Sequence, residues 1–254
     1  MRKNRFLFVA MLFAALSLGF VSCDDNKGNE PDDPQGEQTE QNGSTENNGG
    51  EETPEPADPY NGHAYVDLGL PSGLKWATCN VGANNPEEYG NYYAWGETTP
   101  KTTYDWSTYK WCNGSDDTMT KYCTDSDYGT VDNKTVLDPK DDAASVNMGG
   151  SWRMPTTEEQ TELQTECTWM WTTLNGVNGY NVEGPNGNSI FLPAAGYRGG
   201  SYLDDAGSYG FYWSSSLDTD GSYYAYYLDF DSGGVFWSYG NRYYGQSVRG
   251  VFSK

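Results

Sequence analysis

Acid–base and nucleophilic chemistry needs titratable side chains that work together, and this 254-residue chain supplies them unevenly. Adjacent carboxylates stand at Asp116/Asp117, Asp141/Asp142, Glu158/Glu159 and Asp204/Asp205. Two carboxylates about 5–10 Å apart across a cleft would suit glycoside hydrolysis. With 36 acidic residues in the chain, however, adjacent pairs arise by chance. His63 is the single histidine and has no visible partner for general acid–base work. The serines of "YWSSS" (212–216) lack the G-x-S-x-G turn of a nucleophile elbow. "GPNGN" has no Lys or Ser/Thr at phosphate-loop spacing. Acidic turns "DSDYG" (125–129) and "DTDG" (218–221) carry the oxygen ligands that calcium takes, but neither continues into an EF-hand loop closing on Glu. No catalytic residue, metal site or cofactor is expected, with calcium left open at the acidic turns.

Binding chemistry is better represented. The C-terminal part is crowded with Tyr, Ser, Gly and Asn, and no Lys occurs between Lys140 and Lys254. Antibody paratopes have this composition, because Tyr offers rigid amphipathic contact area with few torsions to freeze. Tyr and Trp rings also stack on the C–H faces of sugars while their polar tips find partners. Side chains alternate across a strand. In "YYAYYLDF", Leu228 and Phe230 mark as core the side they share with Tyr224 and Tyr226, which turns Tyr223 and Tyr227 outward. In "VFWSY" the side that faces the core is undetermined. The turn-like "SYGNRYYG" completes the candidate ligand-binding set: Tyr223, Tyr227, Ser238, Tyr239, Asn241, Arg242, Tyr243 and Tyr244. The alternative is that these aromatics fill the core of a small sheet poor in aliphatic residues.

The elements that must position this set follow a clear order. Residues 1–22 combine Arg2, Lys3 and Arg5 with an apolar run too short to span a membrane, the pattern of a removable export signal. "FVSC" resembles a bacterial lipobox, with Phe20 where Leu is usual, and makes Cys23 the lipidated residue. The rest of 23–59 is acidic, proline-bearing and without large apolar side chains, so it reads as a disordered tether. Asp24 and Asp25 fit a surface-export signal. A formal net charge of −21 repels DNA, RNA and anionic membranes, and nucleic acid is not an expected partner.

Residues 60–254 form one expected domain. Its four cysteines allow three pairings. Cys112–Cys123, at the neck of a short loop, and Cys79–Cys167 are the pairs expected, with free thiols as the alternative. Two short strands flank the turn at Pro71-Ser72-Gly73, and a long aromatic loop region follows. "DPKDDAASVNMGG" predicts a helix capped by Asp138, with Pro139 at its first position. "RMPTTEEQTELQTECTWMW" predicts a second, with Thr156 and Glu159 as a capping box and Leu163, Cys167 and Met170 or Trp171 on one face. Strands at "NSIFLPAAGY", "GFYWSSS", "YYAYYLDF", "VFWSY" and "SVRGVF" follow, with "DSGG" as a hairpin loop. The class is α+β.

The stretches "YVDLGLPSGLKWATCNVGA", "YYAWGETTPK", "MTKYC", "DDAASVNMGGSWRMPTTEE", "GPNGNSIFLPAAGYR", "YWSSS" and "GQSVRGV", spread from about residue 63 to 251, resemble the Fibrobacter succinogenes major paralogous domain. That resemblance implies a C-type-lectin-like fold on an exported lipoprotein. "GGSWRMPTTEEQTEL" and "SVRG" are more distantly similar to the formylglycine-generating, sulfatase-modifying fold. Those enzymes need reactive cysteines late in the domain, and here no Cys follows Cys167. Targets of diversity-generating retroelements share the fold and often end in sequence like "GQSVRG". The expectation is an outer-membrane lipoprotein, anchored by lipid and exposed at the cell surface, that grips a protein or glycan without catalysis. A carboxylate-dependent glycan hydrolase and a structural fibre-tip protein are the alternatives.

Overall fold

The computed structural model describes residues 60–253. The expected signal (1–22), Cys23 and the tether (23–59) lie outside them. Short strands β1 (Tyr65–Asp67) and β2 (Lys75–Ala77) pair antiparallel across the Pro71 turn, and β11 (Val251–Phe252) pairs with the other side of β2. The first and last described strands therefore share one sheet. Between β2 and helix α1 (Ala143–Met148) the chain runs with isolated bridges and 3-10 turns only. Then come α2 (Thr157–Glu166), a meander of β3 (Thr168–Leu174), β4 (Val177–Glu183) and β5 (Ser189–Pro193), the small hairpin β6 (Tyr197–Gly199) and β7 (Tyr202–Asp204), and a second meander of β8 (Gly210–Leu217), β9 (Tyr224–Asp231) and β10 (Gly234–Asn241). All pairings between these strands are antiparallel, and the class is α+β.

Local chemistry explains most boundaries. Thr156 and Glu159 close the capping box on α2: the Thr156 side chain accepts from the Glu159 N–H, and the Glu159 carboxylate accepts from the Thr156 N–H. Arg153 holds the same carboxylate. The first helix starts later than expected. Pro139–Asp141 form a 3-10 turn and Asp138 caps nothing. Asp142 is the N-cap, accepting from Ser145 N–H (2.9 Å) and Met154 N–H (2.8 Å). The second helix ends sooner: Cys167 is its C-cap, and Met170 and Trp171 lie on β3. The run "TWMWTTL" is β-branched and aromatic, and Asn175-Gly176, both at positive φ, turns it into β4 as a hairpin. "SVRGVF" contributes only its last two residues to a strand.

The cysteine pairs do not form. Cys79, Cys112, Cys123 and Cys167 are free. The Cys112 thiol donates to Trp106 O (3.2 Å) and the Cys123 thiol to Asp125 O (3.0 Å), so each serves its own loop. The loop neck is closed instead by a Cys112–Met119 bridge. Cys167 packs against the core, and burial pushes its thiol up to about 11.

Two cores lie on opposite faces of the β8–β9–β10 sheet. Leu228, Phe230 and Tyr212 pack with Leu163 of α2 and with Tyr180, Val182, Ile190 and Leu192 of β4 and β5. On the other face Ala225, Trp213 and Leu217 pack with Tyr93, Trp95 and Tyr122 from the long loop and Met148 of α1. The loop is pinned by donors reaching backbone carbonyls. Tyr92 Oη donates to Ala195 O, Tyr104 Oη to Tyr92 O, Tyr109 Oη to Trp95 O, Trp95 Nε1 to Ser214 O and Trp213 Nε1 to Tyr93 O, at 2.6–2.9 Å. A buried loop has many carbonyls with no ladder partner, and these side chains satisfy them.

Arg242 is the largest correction to the expected surface set, because it is fully buried. It donates to Tyr109 Oη (2.8 Å), Tyr122 O (3.0 Å), Ser222 O (2.7 Å) and Lys121 O (3.1 Å), and lies 4.8 Å from the Trp95 ring centroid. Replacing Arg242 by Met should lower stability by about 3–4 kcal/mol in urea denaturation, since the carbonyls lose their donors. Lys should not rescue it, lacking the planar fork. A second network joins Lys121 to Asp138, Asp141 and Tyr122. Burial pushes the Asp141 carboxyl up, but hydrogen bonds from Lys121 and Tyr122 outweigh it and hold it below its ordinary value of 3.8. Its contribution is therefore present above that value and is lost as pH falls through the lower folded-state pKa. Asp141→Asn should cost about 2 kcal/mol at pH 7 and flatten the loss of stability below about pH 4 in acid denaturation curves.

Candidate functional site

The two cores do not cover the β8–β9–β10 sheet completely. Cross-strand pairs set the faces: Val235–Phe230, Trp237–Leu228, Tyr239–Tyr226 and Asn241–Tyr224 share one, while Phe236–Asp229 and Ser238–Tyr227 share the other. On the first face the α2-side core ends at Leu228, so Tyr224, Tyr226 and Tyr239 extend past it. On the second face the loop-side core ends near Tyr227, leaving Phe236 exposed. Each face thus has one uncovered end, and the two ends are diagonal to each other.

The first uncovered end forms a recess of about 250 Å³ lined by Asp218, Asp220, Gly221 and the rings of Tyr223, Tyr224, Tyr226 and Tyr239. Tyr239 is 54% exposed. The rings form a continuous series: Tyr128 to Tyr223 at 5.0 Å, Tyr223 to Tyr224 at 4.0 Å, Tyr224 to Tyr239 at 5.1 Å and Tyr239 to Tyr226 at 6.4 Å between centroids. Gly221 permits this crowding. A Cβ there would meet the Tyr224 ring at 3.2 Å and the Tyr223 ring at 3.4 Å. Asp218 is buried at the margin and orients the turn, accepting from Asp220 N–H (3.0 Å) and Tyr226 Oη (3.3 Å). Burial, then the Asp218 charge, pushes the Tyr226 phenol up, and it stays protonated as a donor at neutral pH. The recess therefore offers ring faces, phenol hydroxyls and carboxylate acceptors in one concave patch.

The eight residues expected from sequence are not gathered in it. Tyr223 and Tyr239 line it, and Asn241 stands beside Tyr224 in register. Tyr227 packs against the loop-side core, contrary to its expected outward lean, because β9 is covered on both faces at that point. Ser238 is its cross-strand neighbour. Tyr243 and Tyr244 belong to another half-buried series, running from Trp106 through Tyr243, Tyr244 and Tyr197 to Phe211. Arg242 is internal. Tyr224 and Tyr226 are the functional candidates that alternation assigned to the core. The acidic turn "DTDG" just before β9 is the signal that points to them, since acids beside a run of tyrosines belong at a solvent margin.

Among the described residues no three or more His, Cys, Asp or Glu side chains gather as metal ligands. In the "DSDYG" turn, Asp125 accepts from Asp127 N–H (2.9 Å), and Asp218 does the same for its own turn. Both aspartates brace their backbones. His63 is exposed, its ring edge-on to Trp152 at 6.3 Å.

Residues 158–251, from α2 to β11, match the family described as Domain of unknown function (DUF8237). No curated protein and no solved structure matches the chain.

The burial pattern separates platform from core in a measurable way. Tyr239→Ala should change the free energy of unfolding by less than about 1 kcal/mol. Trp213→Ala, at a buried ring on the same sheet, should cost about 3–5 kcal/mol. Parallel chemical denaturation of the two variants checks both.

Proposed function

We propose that this chain is a non-enzymatic recognition protein whose tyrosine recess binds a glycan. The observation that carries the reading is the uncovered end of the β8–β9–β10 sheet, where four tyrosines surround an acidic turn. Ring faces accept the C–H faces of a sugar, and the phenols and the Asp220 carboxylate offer partners for its hydroxyls. The volume is below the ~300–1,000 Å³ of sites for drug-sized ligands, which favours a unit of monosaccharide size over a protein loop.

The architecture proposed for the folded part is C-type-lectin-like. Support comes from the shared sheet of first and last described strands, the two helices and the long ordered loop packed over a second sheet. The motifs quoted above favour membership of the Fibrobacter succinogenes major paralogous domain group. The basic residues and apolar run before Cys23 support display as a lipid-anchored envelope protein on an acidic tether.

Screening the full-length chain on a glycan array, followed by titration of the best ligand, tests this. Tyr224→Ala, Tyr226→Ala and Tyr239→Ala combined should weaken that ligand at least about tenfold, at 0.5–1.5 kcal/mol per lost aromatic contact. Retained circular dichroism would show that the fold persists. If the triple variant binds the ligand as tightly as the parent, the recess is not the site.

A further inference from the structure

Ten basic side chains fall among the described residues before Lys254, and nearly all are committed. Lys75, Lys101, Lys110, Lys121, Lys134 and Arg153 pair with carboxylates. Arg242 and Arg249 are buried and bonded to carbonyls. Among the described residues only Lys140 and Arg198 have neither an ion pair nor a side-chain hydrogen bond. Lys140 is exposed on the 3-10 turn before α1. Arg198 is half-buried and lines a recess of about 520 Å³.

That recess is separate from the tyrosine recess, sharing no lining residue with it. Its walls are rigid. Arg198 is fixed on both sides of its backbone, by Leu203 of β7 and by two hydrogen bonds with Gly245 (2.7 and 2.9 Å). Its guanidinium lies 5.1 Å from the centroid of the buried Tyr92 ring, within cation–π reach. Tyr104 is held by Gly200 through two backbone hydrogen bonds and donates its phenol to Tyr92 O. Beside Gly90 and Pro100, the remaining lining adds the polar side chains of Asn91, Thr102 and Ser201, and it includes no Asp or Glu among the described residues. Lys101 also lines it, but its ammonium is used by Glu97 Oε1 (2.9 Å) and Thr108 O (3.0 Å). In a chain of net charge −21, an unpaired cation in a preformed acid-free recess is a site for an anion.

We propose that the Arg198 recess binds the carboxylate of an acidic sugar. The planar guanidinium fork matches a carboxylate with two parallel N–H···O bonds. Only one uncommitted cation is present, which suits a monoanion better than a phosphate dianion in this acidic chain. Asn91, Thr102 and Ser201 supply donors and acceptors for ring hydroxyls next to the carboxylate.

The test is titration of the full-length chain, by calorimetry or NMR, with sodium glucuronate, sodium N-acetylneuraminate, glucose and inorganic phosphate. At least one acidic sugar should bind, more weakly as salt rises, and glucuronate should bind at least about tenfold better than glucose if it is the one recognised. Arg198→Gln should reduce acidic-sugar binding at least about tenfold, and Arg198→Lys by a smaller factor, because an ammonium cannot form the fork. Lys140→Gln, which removes the other uncommitted cation and lies in neither recess, should leave acidic-sugar binding unchanged, which separates the Arg198 recess from a general charge effect. Unfolding temperatures of the Arg198 variants should fall by no more than about 2–4 °C, the effect of the lost ring contact, since the side chain makes no hydrogen bond in the fold. If Arg198→Gln fails to fold, Arg198→Lys and the comparison of the bound acidic sugar with glucose still decide. Absence of acidic-sugar binding, glucose binding as tightly as the best acidic sugar, phosphate binding tighter than both acidic sugars, or unchanged affinity in Arg198→Gln would each overturn the assignment.

Discussion

Two buried guanidinium groups, neither facing a carboxylate, hold the loop-rich half of this protein to its sheets. Arg242 joins Tyr109, Lys121, Tyr122 and Ser222, while Arg249 joins Asn80 and the carbonyls of Ala77, Thr78 and Phe191. A buried cation is costly unless its donors are all used. Here most partners are backbone carbonyls, and those of Thr78, Lys121, Tyr122 and Ser222 lie outside any strand, so cation and loop remove each other's penalty. Burial pulls the Arg249 guanidinium below its ordinary pKa, a sign of how fully it is desolvated. Each arginine reaches segments more than 100 positions away in sequence, and the chain between β2 and α1 owes its order to such contacts more than to secondary structure of its own.

The aromatic residues extend the same principle. Tyr92, Tyr104, Tyr109, Trp95 and Trp213 bury their rings and end in a donor that meets a carbonyl. A Leu or Phe at these positions would fill the volume and leave the carbonyl bare. This explains why a chain with 21 Tyr and 9 Trp can pack long loops tightly. Paratope-like composition therefore has two sources, and many of the tyrosines serve the interior. The ones left at the surface are those beyond the reach of either core.

Sequence periodicity located the elements it could act on locally. The capping box at Thr156 and Glu159, the Pro71 turn, the two-residue link between β9 and β10, and Leu228 and Phe230 as core residues are all where the pattern put them. It failed where a distant contact decides. Asp138 looks like an N-cap but is drawn to Lys121 and Lys134, and Asp142 takes the role. Met170 and Trp171 continue a helical spacing, yet the Asn175-Gly176 turn commits them to β3. Arg242 sits in a polar, turn-like run that reads as surface, and no local signal marks it as the one residue there that is fully enclosed. The candidate site was legible in composition and in Tyr223 and Tyr239, but not in Tyr224 and Tyr226.

The reason for that last failure is also the reason a recess exists. Alternation assigns a strand one core face along its whole length, which holds only when one core runs the length of the strand. In β9 the core changes face: Leu228 and Phe230 point to α2 and β4–β5, and Ala225 and Tyr227 point to the loop. The irregular register of β8 between Trp213 and Leu217 accompanies the change, and Ser214 and Ser216 fill it with donors to Tyr226 O and an acceptor for Thr157 N–H. A sheet covered this way must leave opposite corners open. Tyr224, Tyr226 and Tyr239 occupy one such corner, anchored through their backbones to a strand buried on both faces further along. Their rings can therefore be exposed and still be held in place, which is the combination that a binding surface needs and that an exposed loop does not provide.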